Sequence, residues 1–94
     1  MKLSEAILEG VKYVPKQHFG DFFEWGNGRD TWPTAASVIG AAMLTASDPH
    51  RPWVGSLWGV ENYTHRLFIL MVYMNDYRRW PRERIAAVLA AAGY

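Results

Sequence analysis

Ninety-four residues with a formal net charge of +1 and no cysteine set the first bounds. That length fits one domain over residues 1–94 and is too short for two. Half the residues are hydrophobic and 20% are charged, a globular composition that excludes a disordered chain. Without cysteine there is no disulfide scaffold, thiolate zinc site, iron–sulfur cluster or cysteine nucleophile, which fits a reducing compartment. The near-zero charge excludes both an acidic DNA mimic and a strongly basic nucleic-acid coat.

Glu5 and Glu9 interrupt the apolar stretch a signal peptide would need, so a soluble protein is expected. Ser4 has the chemistry of a helix N-cap, with Glu5 in the first turn, and Leu3, Ile7, Leu8 and Val11 form an apolar stripe at helical spacing. Leu3 is placed to staple onto Leu8, and Pro15 ends the helix near Lys12 or Tyr13.

From Lys16 to Trp32 the helical period disappears, and Phe19, Phe22, Phe23, Trp25 and Trp32 crowd around Gly26-Asn27-Gly28. Glycine and asparagine both tolerate positive φ, so this pattern predicts either a hairpin of Asp21–Trp25 with Arg29–Trp32 or an aromatic loop. Pro33 suits the first turn of a helix over Thr34–Ala46, whose small residues Ala36, Gly40, Ala41 and Ala42 let another backbone approach closely. That helix is read as central and buried. Ser47–Pro52 is a loop by composition, and Trp53–Gly59 has room for a single helical turn.

Glu61–Asn75 holds an apolar run, Leu67–Met74, that suits a buried strand or a helix packed on several sides. Length favours the helix, with Asn75-Asp76 as its stop. The run is far short of the ~20 residues needed to cross a bilayer. In the last segment Pro81 marks a helix start and Gly93 its stop; Ile85, Val88, Leu89 and Ala92 stand at i, i+3, i+4 and i+7, with the first three expected to face inward. The expected fold is therefore mainly α, a small single-domain helical fold with a short β-hairpin near residues 21–32 as an option.

Catalytic signatures are missing. His18, His50 and His65 stand at no metal-ligand spacing relative to one another; Glu61 and His65 make half a site at best. Gly55-Ser56 is not a nucleophile elbow, and the glycines form neither a dinucleotide-binding fingerprint nor a P-loop. Neither enzyme activity nor a cofactor or metal is expected. Two compositional anomalies remain. Four of the seven arginines, Arg78, Arg79, Arg82 and Arg84, surround Trp80 at the start of the last helix, the end whose dipole disfavours cations. Ligand contact by these arginines competes with a simpler account, in which Asp76 and Glu83 neutralise the cluster and arginine stems cover apolar surface. Five tryptophans, five tyrosines and four phenylalanines are also more aromatic bulk than so small a core readily encloses. Tyr77, Arg78, Arg79, Trp80, Arg82 and Arg84, joined by Trp53 and Trp58, are the expected partner-binding residues, because Trp, Tyr and Arg dominate protein–protein hot spots.

Met1–Ile7, Pro15 with Phe19-Gly20 and Phe22-Phe23, Ile39-Gly40-Ala41-Ala42, and Met74-Asn75-Asp76 followed by Trp80, Arg82-Glu83 and Ile85-Ala86 together resemble a family of small tailed-phage and prophage proteins without an assigned activity. The chain departs from that pattern where relatives carry cysteines, within Pro52–Asn62, and where Pro81 replaces a capping Ser or Thr. The resemblance implies a phage gene acting in the bacterial cytoplasm. On that basis the expected function is non-enzymatic inhibition or modulation of a host protein complex, of the anti-CRISPR kind. The alternatives are a nucleic-acid-binding regulator using Arg78–Arg84 and a virion or assembly accessory protein. No membrane partner is expected, and the sequence leaves the oligomeric state open.

Overall fold

Every residue from Val38 to Leu44 is buried, so the helix they form lies at the centre of the molecule. A computed structural model describes residues 2–26, 33–46 and 65–94. In chain order these form α1 (Leu3–Tyr13), β1 (Phe23–Glu24), β2 (Ala35–Ala36), α2 (Val38–Ala46) and α3 (His65–Val72). A π-helical turn over Tyr73–Tyr77 and α4 (Arg82–Ala91) complete them. The protein is mainly α, with one two-stranded antiparallel ribbon among the described residues. The helical alternative for Leu67–Met74 is the one adopted.

Small residues set how closely α1 and α2 cross. A Cβ on Gly10 would stand 1.9 Å from the Ala41 carbonyl oxygen, and one on Gly40 2.3 Å from that of Phe22. The expected close approach at Gly40 and Ala41 is thus realised on two sides of α2. Around it, Leu3 and Ile7 of α1, Leu67 and Met71 of α3, Met74 of the π turn, and Ile85, Ala86 and Leu89 of α4 close the main core, beside a smaller cluster of Val14, Ala36 and Leu44.

Several boundaries differ from those read in the sequence. Helix α1 begins at Leu3 with Lys2 as N-cap, not Ser4; Ser4 is buried and its N–H donates to the C-terminal Tyr94 carbonyl at 3.0 Å. Leu3 thereby lies inside the helix and Leu8 is exposed, so no staple forms between them. The partner of Phe23–Glu24 is Ala35–Ala36, with Phe23 opposite Ala36 and Glu24 opposite Ala35; Arg29–Trp32 lies outside the described residues. Consequently α2 starts at Val38, after the residues expected in its first turn have been taken into the ribbon. Two alanines, with little strand preference of their own, are held there by exchange with a second segment: Ala36 N–H donates to the Lys16 carbonyl and His18 N–H to that of Ala36, both at 3.0 Å. Ser37 then caps α2, its Oγ accepting from Gly40 N–H at 3.1 Å.

Helix α4 ends as its sequence requires. Gly93 has φ +93°, Gly93 N–H donates to the Ala90 carbonyl and Tyr94 N–H to that of Leu89, the paired bonds of a Schellman motif. Its buried stripe is Arg82, Ile85, Ala86 and Leu89, whereas Val88 is exposed. The apolar spacing had placed Val88 inward; an arginine occupies the first position of the true stripe.

Candidate functional site

Residues 73–81 connect α3 to α4, and this connection carries most of the expected binding residues. It begins with the π turn, in which Arg78 N–H donates to the Tyr73 carbonyl, five residues back, at 3.0 Å. Single π turns occur frequently at functional sites. Asn75, expected to stop the helix, is instead buried inside this turn at 1% exposure. Its Oδ1 accepts from Gln17 Nε2 and from the N–H of Val38 at the start of α2, and its Nδ2 donates to the His18 carbonyl, all at 2.9 Å; Nδ2 also reaches Asp76 Oδ1 at 2.7 Å. Gln17 Nε2 further donates to the Trp80 carbonyl at 2.9 Å. One amide therefore ties together the 16–18 segment, the α2 N-terminus and the α3–α4 connection.

Arg82 is drawn to the inside as well. It is 2% exposed, and its guanidinium donates to the carbonyls of Val14 (2.8 Å), Ala36 (3.2 Å) and Pro15. Val14 is the C-cap of α1, so this cation sits at the negative end of that helix's dipole. The geometry answers why an arginine stands at the unfavourable end of α4: it serves the favourable end of α1. Its acceptors are backbone carbonyls, and burial pushes its pKa down from the usual arginine value against an opposing pull from Glu83. Arg82 is therefore corrected from a partner contact to an interior fastener. The planar fork suits it to neighbouring carbonyls in a way a lysine ammonium would not.

The other three arginines of the cluster are exposed and lie over aromatic rings. Arg84 stands 3.9 Å and Arg78 5.5 Å from the centroid of the half-buried Trp80 ring, and Arg79 stands 4.6 Å over Phe19. Arg79 has φ +52°, the left-handed region that non-glycine residues adopt at a cost of about 1–3 kcal/mol. Tyr77 is 83% exposed and stacks on Tyr73 with ring centroids 5.7 Å apart and planes at 18°. Among the described residues the ion pairs join Glu9 with Lys12, Lys16 with Glu24 and His18 with Glu24. Asp76 and Glu83 thus do not pair with Arg78, Arg79 or Arg84.

Five of the expected residues are gathered here: Tyr77, Arg78, Arg79, Trp80 and Arg84. Trp53 and Trp58 lie outside the described residues. Phe19 and Tyr73, missed in the sequence, join the patch; the four-residue interval between Tyr73 and Tyr77 was the signal available for one of them. A cavity of about 100 Å³ is lined by Phe22, Val38, Ile39, Val72, Asn75 and Asp76 among others. It is smaller than the ~300 Å³ at which small-molecule pockets begin. No group of three or more potential metal-ligating His, Asp or Glu side chains occurs among the described residues, and no described helix is long and apolar enough to cross a membrane. No family model, curated protein or solved structure matches the chain.

Proposed function

We propose that the protein is a non-enzymatic binding module that grips an acidic surface of a partner protein with Tyr77, Arg78, Arg79, Trp80 and Arg84. The observation carrying this reading is a set of outward cations resting on aromatic rings with no ion-pair partner among the described residues. An arginine stacked on a ring is oriented before it meets a ligand, so little side-chain entropy is lost when a carboxylate docks. Arg79 supports the reading from the backbone, because a turn selected for folding alone would favour glycine at φ +52°. The resemblance to small phage and prophage proteins gives the setting. There the partner is a host protein complex in the bacterial cytoplasm and the outcome of docking is its inhibition or modulation.

Affinity capture from a bacterial lysate, comparing the native protein with an Arg78→Lys/Arg84→Lys variant, tests this. The native protein should retain one protein complex through a moderate-salt wash, and the variant should bind it more weakly by about 1–3 kcal/mol, since an ammonium replaces a fork that pairs bidentately. Phosphate contact tolerates a point charge and is sensitive to salt. Undiminished binding by the variant, with nucleic acid released by moderate salt, would replace this reading with a nucleic-acid regulator.

A further inference from the structure

Helix α3 turns Leu67 and Met71 into the core, and Met74 of the π turn continues that inner face. Its opposite face carries large apolar side chains: Ile69, Leu70, Tyr73 and Tyr77 are 51%, 44%, 45% and 83% exposed. At 100° per residue Arg66, Ile69, Leu70 and Tyr73 fall within one arc, and the Tyr73–Tyr77 stack extends it into the π turn. Cations bound this stripe at both ends, exposed Arg66 at one and exposed Arg78 at the other. Twelve residues separate them, about 18 Å along a helix.

That charge pattern decides between occupants. A second copy laid antiparallel would bring Arg66 against the Tyr77–Arg78 end of its twin, and a parallel copy would set each arginine against itself. Both arrangements oppose like charges beside an apolar contact, where repulsion is least screened. An occupant with carboxylates at both ends and an apolar middle meets attraction throughout. The stripe contains tyrosine and arginine but no lysine, a composition of protein interfaces more than of membrane-surface helices.

We infer that the outer face of α3 docks an amphipathic helix of the partner protein, apolar along one side and acidic at both ends. This rests on the reading of the arginine patch as a protein-binding site, and extends it from Arg78 to Arg66.

The probe is a synthetic helical peptide of about 16 residues with leucines on one face and glutamates in its first and last turns, alongside a twin with lysine at each glutamate position. Titrated into the full chain at about 0.15 M salt, the glutamate peptide should bind at least ~tenfold more tightly than its twin. Ile69→Ser should weaken it ~tenfold with little change in the unfolding midpoint, since Ile69 is exposed. Arg66→Glu should shift preference toward the lysine twin. Equal affinity for both peptides, indifference to Arg66→Glu, tighter association with phosphatidylserine vesicles, or a dimer in sedimentation without peptide would each overturn the inference. Should a captured complex depend on Arg78 and Arg84 but not on Arg66 or Ile69, this inference falls and the parent reading stands. If the arginine-to-lysine variant captures normally, the parent reading falls and the inference with it, whatever the peptides do.

Discussion

Arg82 and Arg84 are two residues apart in one helix, yet one is buried among the carbonyls of Val14, Pro15 and Ala36 and the other lies over the Trp80 ring. Position on the helix separates them: Arg82 shares the inward stripe with Ile85, Ala86 and Leu89, while Arg84 points away from it. The contrast shows that a cluster of like charges in sequence is not a unit in space. Its interior member answers a stability requirement, the carbonyls left open where α1 ends. The exterior members Arg78, Arg79 and Arg84 lie over Trp80 and Phe19 with no ion-pair partner among the described residues, and they are the part of the cluster on which the proposed function rests.

Interior and exterior should separate most widely on α4. Leu89→Ala removes a fully buried side chain from the core and should cost about 2–5 kcal/mol in urea unfolding, whereas Val88→Ala, one residue earlier and exposed, should change stability by less than ~0.5 kcal/mol. Similar losses at both positions would mean that α4 is rotated from the orientation described. The next contrast sets Asn75 against Tyr77 within the π turn. Asn75→Ala strips partners from the Val38 N–H and Gln17 Nε2 and should cost about 1–3 kcal/mol, since a buried donor left unsatisfied loses its full hydration. Tyr77→Ala should leave the unfolding midpoint within ~0.5 kcal/mol and act on partner binding instead. A stability loss at Tyr77 as large as at Asn75 would erase the distinction.

The parts of this arrangement visible in the sequence are those governed by local rules. Gly93 as a helix stop, Pro15 as the limit of α1 and the small residues of α2 each follow from backbone sterics. The parts hidden depend on pairing across the chain. Ala35–Ala36 read as helix because alanine prefers it, and only bonds to residues 16–18 and 22–24 make it a strand. Arg82 escaped an apolar count because the residue completing the buried stripe is charged; its acceptors lie 46 to 68 residues away. Asn75 resembled a helix terminator, and its role as a hub depends on partners 37 to 58 residues distant. In the exposed patch, residue types drew attention to Tyr77, Arg78, Arg79, Trp80 and Arg84 together but could not say that Arg82 is turned the other way.

The division of the cluster is tested most directly by urea unfolding of Arg82→Lys and Arg84→Lys side by side. Both changes keep the positive charge and the aliphatic stem, so only the loss of the guanidinium fork is compared. One ammonium cannot serve the Val14, Pro15 and Ala36 carbonyls in the same geometry, and Arg82→Lys should lower stability by about 2 kcal/mol or more. Arg84→Lys should stay within ~0.5 kcal/mol of the native protein. Equal effects at the two positions, or a larger one at Arg84, would contradict the account.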